Sequence, residues 1–170
     1  KESREDINRF LKSDNSNDLS LYSRAITLNA CKLIPTIYAK KVNFDEALTS
    51  GEDVVYFCEY VSRFRPSFSH VDNSDCYYYR LKTKDSTSRQ SMSYEFNVEQ
   101  RLDVIKKLVD LATADLNDFF QSKINAQLSF LNKYFIQNSK SLSSIRKSFE
   151  SRSLSDLMVF KNDRFYINLS

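Results

Sequence analysis

In 170 residues the sequence has one glycine, two prolines, one histidine, three cysteines and no tryptophan. With Gly51 alone, neither a glycine-rich phosphate loop nor a Gly-x-Ser-x-Gly nucleophile elbow can be built, which excludes nucleotide chemistry and acyl transfer through those motifs. Few glycines and prolines also mean few enforced backbone breaks, which favours long helices over a barrel or sandwich that needs frequent turns. Cys31, Cys58 and Cys76 are too few and too scattered for a disulfide framework, fall in no Cys-x-x-Cys spacing, and read as buried or half-buried free thiols. They leave the compartment open between the cytoplasm and export after processing. The start at Lys1 fits a cleaved signal, a preceding domain or a trimmed end equally. No run approaches the roughly eighteen apolar residues of a membrane span, and none is expected. Charge of one sign is also lacking, because 25 basic and 22 acidic residues leave only +3, which by itself singles out neither nucleic acid nor a membrane surface.

Hydrophobic residues at 41% and charged residues at 28% describe a chain that folds in water. At this length one domain over 1–170 buries about two-thirds of its unfolded surface. The expected class is mainly α (α+β): a helical domain with a long amphipathic helix and one or two small antiparallel β-hairpins.

Local patterns place these elements. Ser3 with Asp6, then Ile7, Phe10 and Leu11, predicts a short first helix. Asp18 can cap a second, with Leu21, Ala25 and Leu28 on one face, that Pro35 stops. Asn43 to Ser50 is predicted as a short helix ended by Gly51, and Val54, Phe57, Cys58, Val61 and Phe64 as another ahead of Pro66. Tyr77, Tyr79 and Leu81 alternate with Tyr78, Arg80 and Lys82, and Met92, Tyr94 and Phe96 with Ser93, Glu95 and Asn97. That alternation predicts a hairpin with a longer loop around Asp85 to Arg89. Asn97 with Gln100 can cap the longest helix, whose apolar stripe runs from Leu102 to Phe135 without a breaker. An uninterrupted helix of about 55 Å is favoured, with a kink near Asn117 to Lys123 as the alternative. Leu142, Ile145 and Phe149 predict a further short helix, and Leu157 to Leu169 a second hairpin or a short helix followed by a strand.

No catalytic set assembles. His70, Asp72, Asp75 and Cys76 form the one cluster that could hold a metal or a general base, but the spacing matches no zinc pattern, and pairing His70 with Cys58 or Cys76 is no better supported. Asp14, Ser16 and Asp18 begin like a calcium loop, yet Leu19 and Ala25 stand where Gly and Glu are required. Ser144 and Lys147 have a spacing that chance explains in a chain so rich in both. No metal and no cofactor is expected.

Binding is therefore favoured over chemistry, and the first expectation is a non-enzymatic protein-interaction module, a small regulator, inhibitor or immunity-type factor. Tyr78, Arg80 and Lys82, on the outer face of the tyrosine hairpin, are its candidate contacts. The second is nucleic-acid binding through Arg146, Lys147, Arg152, Lys161 and Arg164. A helix from Leu142, a short turn, a second helix from Leu154 and a terminal hairpin resemble a winged helix-turn-helix in outline, without the usual turn glycine, which implies Arg146, Lys147 and Arg152 near phosphates. The third is an enzyme with a dispersed site around His70. Oligomeric state is left open.

Overall fold

The computed structural model describes Leu19, Ser23, Ile26, Thr27, 32–69 and 92–169. Leu19, Ser23 and Ile26 are helical, in keeping with the second predicted helix; the first predicted helix, His70 and its neighbours, and the first arm of the tyrosine hairpin lie outside the described residues.

Pro35, at φ −58°, opens the single turn α1 (Thr36–Ala39). The helix expected over Asn43 to Ser50 does not form. Asp45 captures the local backbone instead: its Oδ1 accepts the Ala47 N–H at 2.9 Å and its carbonyl accepts the Leu48 N–H at 3.1 Å, a side-chain turn that competes with helical bonding. Lys107 pairs with the same carboxylate and, with the Ala47 N–H, holds its pKa below the ordinary value. Gly51 has φ 91° and stands at the start of a helix rather than at the end of one. α2 (Glu52–Phe64) follows, as its spacing predicts, with Glu52 and Asp53 in its first turn, where they oppose the positive end of the helix dipole. It ends on Arg65 in the left-handed region, immediately before Pro66.

Residues Met92 to Asn97 are not a strand. Ser93 caps a helical start, its Oγ accepting the Phe96 N–H at 3.1 Å while Asn97 Oδ1 accepts the Ser93 N–H at 3.0 Å. A π turn (Glu95–Glu99) then leads directly into α3 (Gln100–Leu111). Winding buries Phe96, Asn97 and Val98 in succession, which an alternating strand would split between two faces.

The uninterrupted helix through to Phe135 is not formed either. The chain breaks earlier than the expected kink, at Ala112 (ψ 137°) and Thr113 (φ −128°, ψ 153°). It then makes a 3-10 turn (Ala114–Leu116) and folds back as α4 (Asn117–Gln137). No glycine or proline is involved; the fold-back lets Leu102, Ile105 and Leu108 of α3 and Phe120, Ile124 and Leu131 of α4 all reach complete burial. Side chains from around the end of α2 hold the break. Ser62 Oγ donates to the Leu111 carbonyl at 3.1 Å, and Arg65 Nη2 donates to Thr113 Oγ1 at 3.0 Å and Asp115 Oδ1 at 3.1 Å.

After a 3-10 turn (Ser139–Ser141), α5 (Leu142–Glu150) forms where it is predicted. It ends in a Schellman closure: Ser153, at φ 55°, donates its N–H to the Glu150 carbonyl, and Leu154 donates to Phe149 O at 3.0 Å with its side chain fully buried. The second helix of the winged outline is therefore missing, since Ser155–Leu157 is one 3-10 turn before the chain extends. Of the two readings of the C-terminus, the hairpin forms. β1 (Met158–Lys161) and β2 (Arg164–Ile167) pair antiparallel, Met158 opposite Ile167 and Lys161 opposite Arg164, through the left-handed Asn162 and Asp163. The protein is thus mainly α with a small hairpin, and one apolar cluster joins the helices to β2.

A Cβ on Gly51 would lie 2.8 Å from Val104 Cγ2, at a φ that L residues rarely adopt. Gly51→Ala is expected to lower unfolding free energy by about 1–2 kcal/mol, and a urea titration showing an unchanged midpoint would contradict this packing.

Candidate interaction surface

The hairpin is placed by amide side chains. Asn117, Gln121 and Asn132 lie on one flank of α4, spaced four and eleven residues apart. Asn132 brackets Phe165, its Nδ2 donating to the Phe165 carbonyl at 2.9 Å and its Oδ1 accepting the Phe165 N–H at 2.7 Å. Gln121 Nε2 donates to Ile167 O at 2.8 Å and its Oε1 accepts the Leu169 N–H at 3.2 Å; Asn117 Nδ2 donates to Leu169 O at 3.1 Å. The helix thereby stands in for a missing third strand beside β2. This flank was legible in principle as helix-spaced amides, but such residues usually mark a solvated face, and nothing local says that a strand will lie against them.

The hairpin's inner face is a phenylalanine cluster. The Phe165 ring lies 5.3 Å from that of Phe135, 5.5 Å from Phe149 and 4.8 Å from Phe160. The outer face differs in kind. Val159 and Tyr166 oppose one another at 47% and 41% exposure, and the next pair outward is Lys161 opposite Arg164, both exposed. Like charges directly opposed across a ladder weaken pairing, so stability supplies no reason for that pair. From α5, Arg146 sits with Cζ 5.8 Å from the Phe160 ring centre, and Lys147 is exposed beside it in sequence. Among the described residues, no carboxylate lies within ion-pair distance of Arg146, Lys147, Lys161 or Arg164.

Arg152, the fifth basic candidate, is turned to another use. Its Nη2 lies 2.7 Å from Glu99 Oε2 and its Nε 2.7 Å from Asp103 Oδ1, while Nη1 donates to Ser148 O at 3.1 Å. Its side chain is 16% exposed, and the two carboxylates raise its pKa against the opposing effect of burial. It anchors the end of α5 to α3 and is not free to meet a phosphate. Ser148 Oγ and Tyr94 OH, 2.8 Å apart, extend this network, with Ser148 donating to Glu99. A serine beside a glutamate resembles part of a nucleophilic set, but Glu99 is ion-paired with Arg152 and, among the described residues, no imidazole or amine base joins it.

Neither other candidate supplies chemistry. Cys58 is buried, and desolvation pushes its thiol up to about 12, whereas a nucleophilic cysteine needs a depressed pKa. A groove of about 460 Å³ at the end of α4 is lined by Tyr134, Gln137, Asn138, Ser139, Lys140 and Ser141, which include no carboxylate, imidazole or thiol. Tyr78, Arg80 and Lys82, like His70, Asp72, Asp75 and Cys76, lie outside the described residues.

No family model, curated protein or solved structure matches this chain. Its function must be argued from its own geometry.

Two outcomes follow from these contacts. Arg152→Ala leaves Glu99 and Asp103 half-buried without their cation and is expected to cost about 1–3 kcal/mol in urea unfolding, whereas Lys147→Ala should shift stability by no more than about 0.5 kcal/mol. In a chain carrying Cys31→Ser and Cys76→Ser, Cys58 should react with a thiol reagent at pH 8 only as fast as the protein unfolds; rapid labelling of the native state would refute its burial.

Proposed function

We propose that this protein acts by binding another protein through the outer face of its C-terminal hairpin. The observation that carries the reading is the pairing pattern there: an exposed Val159–Tyr166 pair next to the like-charged Lys161–Arg164 pair. An aliphatic and an aromatic side chain supply contact area, and cations around them supply orientation, the usual division between the centre and rim of an interface. The amide bracket on β2 adds to this, since it fixes the strand to α4 and presents the face on a rigid support.

Nucleic-acid binding is the competing outcome. Arg146, Lys147, Lys161 and Arg164 remain exposed cations, but Arg152 is engaged internally and Ser155–Leu157 is one 3-10 turn where a second helix would have to enter a groove. Tagged protein and a Val159→Ser/Tyr166→Ser variant of matched thermal stability would be compared in affinity capture from the native source, with and without nuclease treatment, at moderate salt. The expected result is a protein recovered near stoichiometry by the parent chain and depleted about tenfold with the variant, equivalent to a loss of about 1.4 kcal/mol. Equal recovery by both, or recovery only of nuclease-sensitive nucleic acid, would overturn the reading.

A further inference from the structure

The two edges of the hairpin are treated unequally. Asn168 donates its N–H to Leu157 O at 3.1 Å. In an antiparallel ladder hydrogen-bonded and non-hydrogen-bonded pairs alternate, so Val159–Tyr166 and Lys161–Arg164 also face inward across the ladder. The backbone groups of Phe165 and Ile167 then point away from β1, where Asn132 and Gln121 meet them. Those of Met158 and Phe160 point away from β2, along the opposite edge. The Met158 N–H is taken by the Ser155 carbonyl in the preceding turn. For the Met158 carbonyl and for both the N–H and carbonyl of Phe160, no described residue provides a hydrogen-bond partner. One edge is sealed by purpose-placed amides, and the other is left open by the described residues.

Open edges are normally blunted by proline, by a bulge, by covering or by charge. Among the described residues β1 has only charge, Lys161 on its outer face, with Arg164 across the ladder and Arg146 beside the ring of Phe160 on the inner face. Asp156 precedes the strand and Asp163 sits in the turn, so the acids stand at its ends while its faces carry cations. That arrangement disfavours pairing with a second copy, which would bring its own Lys161 and Arg164 to the same edge. It favours a strand of opposite charge.

We infer that the open edge of β1 accepts an extended, acidic segment of a partner protein as a third strand. This rests on the protein-binding reading above and names its mode. Main-chain bonds to Met158 O and to Phe160 supply strand recognition, and the alternation of side chains supplies selectivity. Three consecutive residues of the incoming strand carry it: an apolar side chain beside Val159, an apolar one beside Phe160, and a carboxylate beside Lys161.

The test uses the whole chain and capped synthetic peptides flanked by threonines, with a valine–valine–glutamate core that sets the carboxylate beside Lys161 in a parallel strand and a glutamate–valine–valine core that does so in an antiparallel one. Controls carry lysine in place of glutamate, or N-methyl groups on alternate amides. The readout is the Phe160 amide, followed by its nitrogen–proton NMR signal and its hydrogen exchange. Without peptide this amide should exchange fast for a strand residue; with one of the glutamate peptides it should shift and become protected at least about tenfold, while its controls leave it unchanged. Lys161→Glu/Arg164→Glu should reverse the preference to the lysine peptide, a reversal that a merely unfolded variant would not show. Failure to bind up to millimolar peptide, or equal binding of the N-methylated form, would overturn the inference. A peptide that perturbs Val159 and Tyr166 but leaves the Phe160 amide exchanging freely would overturn strand addition alone, with face binding intact; unchanged affinity capture by Val159→Ser/Tyr166→Ser would remove the broader reading.

Discussion

Everything in this fold depends on α3 and α4 burying their apolar stripes against one another. The chain between them contains no residue that forces a turn, and helix propagation would carry on through Ala112 if local energetics decided. Burial decides instead: Leu102, Ile105 and Leu108 on one side and Phe120, Ile124 and Leu131 on the other become fully inaccessible only when the chain reverses at Ala112 and Thr113. Each such side chain is worth about 1.5–3 kcal/mol relative to exposure, far above the cost of interrupting a few helical hydrogen bonds that Ser62 and Arg65 then partly replace.

Polar groups follow from that packing. Arg101, 4% exposed, has no carboxylate in contact among the described residues; its Nε donates to Phe96 O at 3.2 Å, Nη1 to Gln127 Oε1 at 3.0 Å and Nη2 to Ser50 O at 3.4 Å, and its guanidinium lies over the Phe96 and Phe130 rings. Burial lowers its pKa, opposed by the fields of Glu52 and Asp53. A buried cation satisfied by carbonyls from three segments fixes their relative positions, because displacing any one leaves charge without a partner. The Arg152 pairings do the same for α5. With α4 and α5 fixed, the hairpin has one possible seat, and its basic outer face is the surface left over.

Much of this was legible. The helical spacing of Val54 to Phe64 and of Leu142 to Phe149 gave α2 and α5, and alternation around Asn162 and Asp163 admitted the hairpin. Two of the misreadings come from the weakness of short patterns, and the others from contacts distant in the chain. Met92, Tyr94 and Phe96 alternate over too few residues to outweigh the cap that Ser93 and Asn97 make together. Asn43 to Ser50 has helix-compatible residues but loses to the turn made by Asp45. Arg152 looks like a surface base in sequence because its partners, Glu99 and Asp103, lie some fifty residues away.

The sequence by itself determined the class: scarce breakers and amphipathic spacing make helices, and local alternation makes a hairpin, because both depend on neighbours along the chain. It also determined which basic residues were available near the C-terminus. Only the tertiary structure decided where the long helical run reverses, which arginine is consumed by internal ion pairs and which strand edge is sealed. Those outcomes turn on contacts between residues far apart in the chain, where burial and the satisfaction of polar groups outweigh local preference.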